Sequence, residues 1–176
     1  MITVKELDLS WLPRIKEIDR TEEIEAIYTY KNETLAKEER KKVIPNWSPE
    51  GISEIIHTLS PIIKNNGHLV GAIDQDRLIG VAVLGGEWLP MHEKTLQMAF
   101  LYVSNGYRRQ KVAQRLIDHV VFRAKEKGAM QLYVSATETN SALGFYFRYG
   151  FTIAKHVDPA LFLKEPLDIH LTMPIK

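Results

Sequence analysis

The stretch "VSNGYRRQKVAQRLIDHVVFRAKEKGA", Val103 to Ala129, decides the fold. It begins at the end of an apolar run, passes through a group of cations, and continues with apolar residues at helical spacing. The cations are Arg108, Arg109, Lys111 and Arg115. The apolar positions spaced four apart are Val112, Leu116, Val120 and Ala124. This pattern predicts a strand followed directly by a helix that buries one face and ends near Gly128.

The junction between this strand and this helix admits two interpretations. The first amides of a helix lack an intrahelical partner and carry partial positive charge, so such a junction can hold a phosphate. The neighbouring cations would then add full positive charges. Alternatively, the cations simply extend into water, as long cationic side chains do, and oppose the helix dipole. Both interpretations remain open on this stretch alone.

The segments on either side of the helix predict a parallel pair of strands. "LQMAFLYV", Leu96 to Val103, is apolar on both faces, as expected for a central strand covered on both sides. "MQLYVSAT", which starts at Met130, follows the helix as another strand, and this order is typical of a parallel crossover. Other predicted strands cover residues 2–7, 68–74, 77–84, 151–157 and 168–173. Other predicted helices cover residues 10–19, capped by Ser10, then 49–64, capped by Ser48, and 142–149.

Residues 22–45 are ambiguous. Ile24, Ala26, Tyr28 and Tyr30 recur at period two around the turn-like "KNET", although Ile24, Ile27 and Tyr28 also fit one face of a helix. We favour a hairpin. Its two tyrosines could line an acceptor pocket, or they could simply pack.

Composition bounds the class of protein. The chain has 176 residues, 45% hydrophobic and 26% charged, which predicts one globular domain over residues 1–176. The net charge of +1 argues against nucleic acid as the main partner. There is no cysteine, so disulfides and a cysteine nucleophile are excluded, and the six histidines show no metal-ligand spacing. Without a long apolar run or a secretion signal, we expect no membrane association and a cytoplasmic location.

Two motifs give the chain a resemblance to a known family. Residues 108–113, "RRQKVA", match the signature (Q/R)-x-x-G-x-(G/A) that follows the fourth strand in the GNAT superfamily of N-acetyltransferases. "TNSALGFYFRYGF", Thr139 to Phe151, is similar to a second segment of that family, although Asn140 sits one position late. Lys111 stands where the family usually has glycine. A lysine can still donate its amide there if its backbone is helical, so this departure concerns affinity rather than fold.

The resemblance implies a mixed α/β GNAT-like fold with a central, mostly antiparallel, splayed sheet flanked by helices. It also implies acetyl-CoA as the acetyl donor, with no metal. The pantetheine arm would insert between the splayed strands and pair with backbone groups near Leu101 and Val103, and the loop would hold the pyrophosphate. The implied cofactor-binding residues are Leu101, Val103, Arg108, Arg109, Gln110, Lys111, Val112, Ala113, Gln114 and Asn140.

The resemblance also implies a catalytic acid. Tyr146 would protonate the departing thiolate, although its position beside Phe145 and Tyr149 also fits a core tyrosine. An acceptor amine is protonated at neutral pH and needs a base, yet the strand over 96–103 has no carboxylate. The candidate bases, which the sequence does not rank, are Glu22, Glu25, Glu87, Asp168 and His170. A lone histidine such as His170 is more often structural.

The sequence therefore predicts an acetyl-CoA-dependent N-acetyltransferase that passes its acetyl group directly to a primary amine of a small molecule or peptide. Two alternatives stay open: a non-catalytic acyl-CoA sensor of the same fold, and a DNA-binding protein that uses residues 107–127 as a recognition helix. The resemblance also implies a homodimer.

Overall fold

The computed structural model describes residues 1–90 and 92–176. Within them, the strands are β1 (Thr3–Leu7), β2 (Glu22–Lys31), β3 (Thr34–Ile44), β4 (His68–Asp74), β5 (Arg77–Trp88), β6 (Thr95–Val103), β7 (Gln131–Ala136), β8 (Thr152–Ile153) and β9 (Ile169–Pro174). The α-helices are α1 (Pro49–Lys64), α2 (Val112–Glu126), α3 (Asn140–Tyr149) and α4 (Pro159–Lys164). No helix of these residues is both long and apolar enough to cross a membrane.

One mixed sheet organises the molecule, with the strand order β1-β4-β5-β6-β7-β9-β8. Its neighbouring strands are antiparallel, except for the parallel pair β6 and β7 that α2 connects. The predicted parallel crossover is therefore confirmed. So is the predicted fold class, a mixed α/β fold with a mostly antiparallel, splayed sheet flanked by helices.

The splay of the sheet occurs between β6 and β7. Among the described residues, these strands pair over three positions, from Thr95 opposite Gln131 to Gln97 opposite Tyr133, and at none beyond them. Beyond Gln97, β6 runs on to Val103 while β7 continues towards Ala136 beside β9. The two strands therefore leave an opening at their carboxyl ends, which is where α2 and α3 begin.

The helices cover both faces of the sheet. The apolar stripe of α2 is buried against one face, and Leu116, Ile117, Val120 and Ala124 are fully covered there. Helix α1 and a 3-10 helix over Leu9–Glu17 cover the other face. The stripe of α2 therefore packs on the sheet as part of the crossover between β6 and β7.

The ambiguous segment forms a hairpin, as favoured. Strands β2 and β3 pair through a turn at Asn32 and Glu33, and they form a separate sheet. Ile24 and Ala26 are buried, which is consistent with period two rather than with a helix face. The hairpin reaches the splayed end of the main sheet, where the Tyr28 amide donates to the Glu138 carbonyl over 2.7 Å.

Two predicted elements were wrong in detail. Asp8, not Ser10, caps the first helix, because the Asp8 carboxylate accepts from the Ser10 amide, and that helix is a 3-10 helix. The strand predicted over residues 151–157 is limited to β8. The chain leaves the sheet because the carboxylate of Asp158 accepts from the amides of Ala160 and Leu161 and starts α4, which was not predicted.

Candidate active site

The loop between β6 and α2 has an unusual backbone. Arg109 and Lys111 are left-handed, with φ of 61° and 62°, and Gln110 between them has negative φ. Such alternation turns successive backbone N–H groups towards one side, which creates a concave site for an anion. Lys111 is also the residue that caps α2.

The amides of this loop are available for a ligand. Within the described chain, no protein acceptor bonds the amides of Arg109, Gln110, Lys111, Val112, Ala113 and Gln114. The first amide of α2 that the protein itself satisfies is that of Arg115, which donates to the Lys111 carbonyl over 3.0 Å. Consecutive unpaired amides at a helix start carry partial positive charge, so this arrangement fits an anionic group such as a diphosphate.

Lys111 shows why glycine is usual at this position. A lysine with a right-handed helical backbone would fit this position without strain. Lys111 instead has a left-handed backbone. A side chain costs about 1–2 kcal/mol in that conformation, which glycine adopts without penalty. The departure therefore concerns stability, while the Lys111 amide remains without a protein acceptor among the described residues.

We predict that Lys111→Gly stabilises the protein by about 0.5–1 kcal/mol, because relief of the left-handed strain exceeds the entropy that glycine adds to the unfolded chain. Gln110→Gly is the matched control. Its φ is negative, so no strain is relieved, and the control should be destabilised by the entropic cost and by loss of the bond from its Nε2 to the Gly106 carbonyl. Urea unfolding of both variants measures the difference, and a Lys111→Gly variant less stable than the parent would contradict the strain.

Arg108 supports the loop from inside. Its amide donates to the Asn105 carbonyl, its Nε to the Val103 carbonyl and its Nη2 to the Arg20 carbonyl, each over 3.2 Å. Its Nη1 lies 3.6 Å from a carboxylate oxygen of Glu22. The expected phosphate contact of Arg108 therefore competes with four internal contacts, whereas the side chains of Arg109 and Lys111 are exposed.

The opening between β6 and β7 exposes the backbone of β6. The Ser104 amide donates to Ile79 of β5 over 2.8 Å. Because backbone groups alternate between the two edges of a strand, those of Leu101 and Val103 point to the other edge, towards the opening. The Val103 carbonyl there already accepts from Arg108, so the amide of Val103 and both backbone groups of Leu101 are the ones left for a ligand.

Tyr146 lies at the same opening. Helix α3 positions it, and the Thr139 hydroxyl caps that helix by accepting from the Ala142 amide. Tyr146 is 9% exposed, and among the described residues its hydroxyl has no hydrogen-bond partner. Burial raises the pKa of Tyr146 well above its usual value, and proximity to Tyr102 and Asp168 adds to this shift. The phenol therefore stays protonated and can donate.

Asn140 begins α3 beside this opening. Its side-chain oxygen is buried and has no partner within the described residues. Since buried polar atoms are normally bonded, an unpaired amide side chain here is a feature that a ligand could satisfy.

The structure separates the candidate bases. Glu25 and Glu87 are exposed, and Glu87 lies at the far end of β5, opposite the start of β6 rather than the opening. Glu22 is already bound to Arg108 and to the Ser141 hydroxyl. His170 is buried, and its Nδ1 lies 2.7 Å from the Tyr133 hydroxyl. Burial lowers the pKa of His170, which fits a structural neutral ring. Asp168 remains.

An aromatic cluster beside the opening was missed from the sequence. It consists of Trp47, Phe100 and Tyr102, with the Tyr102 ring 4.8 Å from both other rings. Burial raises the pKa of Tyr102, the nearby Arg20 opposes this shift, and Asp168 and Glu22 add to it. The period-two spacing of Phe100 and Tyr102 on β6 was a usable signal, but Trp47 reaches them only through the fold. Of the predicted hairpin tyrosines, Tyr28 packs on the core and Tyr30 is 38% exposed.

The family follows from a direct comparison. Residues 22–151 match the model of the acetyltransferase (GNAT) family, which is more than half of the chain. The chain therefore belongs to the GNAT acetyltransferase family, and it is an N-acetyltransferase. Comparison with curated proteins gives no match.

Solved structures agree on the fold. A nourseothricin acetyltransferase superposes with a TM-score of 0.72 at 19% identity, covering 99% of both chains. A candidate streptothricin acetyltransferase from Bacillus anthracis, in complex with acetyl-coenzyme A, gives 0.73 at 18% identity, covering 100% of this chain and 99% of that one. The ribosomal-protein-S18-alanine N-acetyltransferase of Escherichia coli gives 0.64 at 15% identity, covering 100% and 95%. At these identities the likeness shows the fold and leaves the acceptor open.

Proposed function

We propose that this protein transfers the acetyl group of acetyl-CoA directly to a primary amine of a small molecule or peptide. The observation that carries the proposal is the row of six amides from Arg109 to Gln114 that have no acceptor among the described residues, placed where β6 and β7 diverge. The acetyl-CoA complex of a similar fold supports the same donor.

The residues present suit coenzyme A in two places. The amides from Arg109 to Gln114 would bond the diphosphate, with the exposed side chains of Arg109 and Lys111 adding positive charge. The free backbone groups of Leu101 and Val103 would pair with the amide groups of the pantetheine arm. Asn140, whose buried side-chain oxygen has no partner in the described part of the chain, is a further donor or acceptor for that arm. In this proposal Arg108 holds the loop in shape instead of touching phosphate.

The chemistry uses the same opening. A backbone N–H of β6 would bond the thioester oxygen and stabilise the negative charge that develops there during attack. Tyr146, buried and protonated, would donate its proton to the sulfur as the carbon–sulfur bond breaks. Since the chain has no cysteine, we propose attack by the amine on acetyl-CoA itself in a ternary complex, without an acetylated cysteine.

The test is a transfer assay with a defined panel of amines: streptothricin, an aminoglycoside, spermidine, and peptides with an amino-terminal alanine or an internal lysine. Thiol release that depends on one amine, together with a product heavier by one acetyl group, is the expected result. Double-reciprocal lines that intersect are expected for a ternary complex, and parallel lines would contradict direct transfer. Binding of acetyl-CoA without transfer to any amine would instead identify the sensor.

A further inference from the structure

Asp168 is placed at the opening by the pairing of two strands. It directly precedes β9, whose first residue, Ile169, lies opposite Ala136 at the carboxyl end of β7. Its own amide donates to Glu165 over 3.2 Å, which fixes the backbone before the strand. The carboxylate is thus held at the end of the splayed strand, near the phenols of Tyr146 and Tyr102, whose pKa values it raises.

The Asp168 carboxylate is half-buried and free. It makes no side-chain hydrogen bond and no ion pair with any residue of the described ranges 1–90 and 92–176, unlike Glu22. A half-buried carboxylate without a cation is unfavourable, which is why such groups usually have partners. Here the missing partner fits a cationic group that comes from outside the chain.

We propose that Asp168 is the general base of this acetyltransferase, the group that binds the ammonium of the acceptor and removes its proton. This role rests on the proposed function and names the residue that completes it. It also ranks the five candidate bases, four carboxylates and one imidazole, that the sequence left unranked.

A nitrogen–hydrogen bond of the acceptor ammonium breaks, and its proton moves to an oxygen of Asp168. The freed lone pair attacks the thioester carbon, and the carbon–sulfur bond breaks with its electrons on sulfur. Tyr146 gives its proton to that sulfur and regains one from the new amide nitrogen. Asp168 then loses its proton to water, so the net reaction is ammonium plus thioester to amide, thiol and one proton.

The surroundings tune Asp168 for this task. Burial raises the pKa of Asp168 to about 7, and the carboxylates of Glu165 and Glu138 act in the same direction. A base is most effective when its pKa lies near the working pH. Tyr146 and Tyr102 are the other titratable groups facing it. The cations on the Tyr102 side are Arg20 and Arg108, and Arg108 is bonded elsewhere.

We predict that the pH profile of kcat/KM follows the ionisation of Asp168. With the panel amine that the parent protein acetylates, kcat/KM should rise with pH and level off above about 7, since only ionised Asp168 accepts a proton. Asp168→Asn should lower kcat/KM at neutral pH by at least about 100-fold and remove this rise. Asp168→Glu should recover part of the loss. Calorimetric affinity for coenzyme A should be unchanged in both variants.

Glu165→Gln tests the role of Asp168 through a shift in the pH profile, which loss of folding would not produce. Removing that neighbouring carboxylate lowers the pKa of Asp168, so the rise in kcat/KM should move to lower pH while the plateau is kept. Glu25→Gln, an exposed carboxylate on β2, is the matched control and should leave the profile unchanged. An Asp168→Asn enzyme within threefold of the parent at every pH would overturn the role of Asp168 alone. A parent that acetylates no amine would overturn the proposed function.

Discussion

Ala113→Glu is expected to abolish measurable binding of acetyl-CoA. Ala113 lies in the first turn of α2, and its amide is one of the six without a protein acceptor within the described chain. A glutamate there would put bulk and a negative charge next to the diphosphate, where like charges repel. Isothermal calorimetry with coenzyme A should show a loss of at least about 100-fold, since two cancelled charge-assisted bonds amount to about 3 kcal/mol.

Two control variants separate the causes. Ala113→Gln has the same bulk without the charge and should weaken binding less. Lys125→Glu places a negative charge on an exposed residue in the last turn of α2, away from the loop, and should leave the affinity for coenzyme A unchanged. Because acidic residues are favourable in a first helical turn, Ala113→Glu should not unfold the protein. Unchanged affinity in Ala113→Glu would show that the loop does not hold the phosphates.

Tyr146→Phe is expected to lower kcat by about 100-fold or more while the affinity for coenzyme A changes little. The substitution removes one hydroxyl that has no hydrogen-bond partner among the described residues, so packing and folding should be kept. What is lost is proton donation to the thiolate, and positioned acids typically contribute a factor of about 100–10,000. Steady-state rates with saturating acetyl-CoA measure this effect.

Tyr149→Phe is the matched control on the same helix. Its hydroxyl donates to Asp118 of α2 over 2.7 Å and is therefore engaged within the protein. That variant should retain turnover and lose a little stability. If Tyr146→Phe and Tyr149→Phe had equal rates, Tyr146 would have no part in the chemistry.

The sequence predicted the parts of this fold whose patterns are local. The stripe of α2, the double-sided apolarity of β6 and the Ser48 cap of α1 each follow from residues within one element, and the structure confirms them. The hairpin was also readable, because Ile24 and Ala26 alternate with exposed neighbours. The cap of the first helix was wrong, since the prediction named Ser10 and the cap is Asp8, two residues earlier.

The candidate site depends on features that single elements do not encode. The left-handed backbone of Lys111 is imposed by the loop around it, and lysine gives no hint of it. Asp168 and Tyr102 are 66 positions apart in the chain, and only the order of β6, β7 and β9 in the sheet brings them together. For the same reason, Asp168 could be named from the sequence as one of several bases but could not be singled out.

The most direct test of this account is a crystal structure of the protein with coenzyme A. The account predicts diphosphate oxygens within about 3 Å of the amides between Arg109 and Gln114, with the pantetheine arm between β6 and β7. It is contradicted if coenzyme A binds elsewhere while that loop stays without phosphate, or if those amides bond to carbonyls of the chain itself.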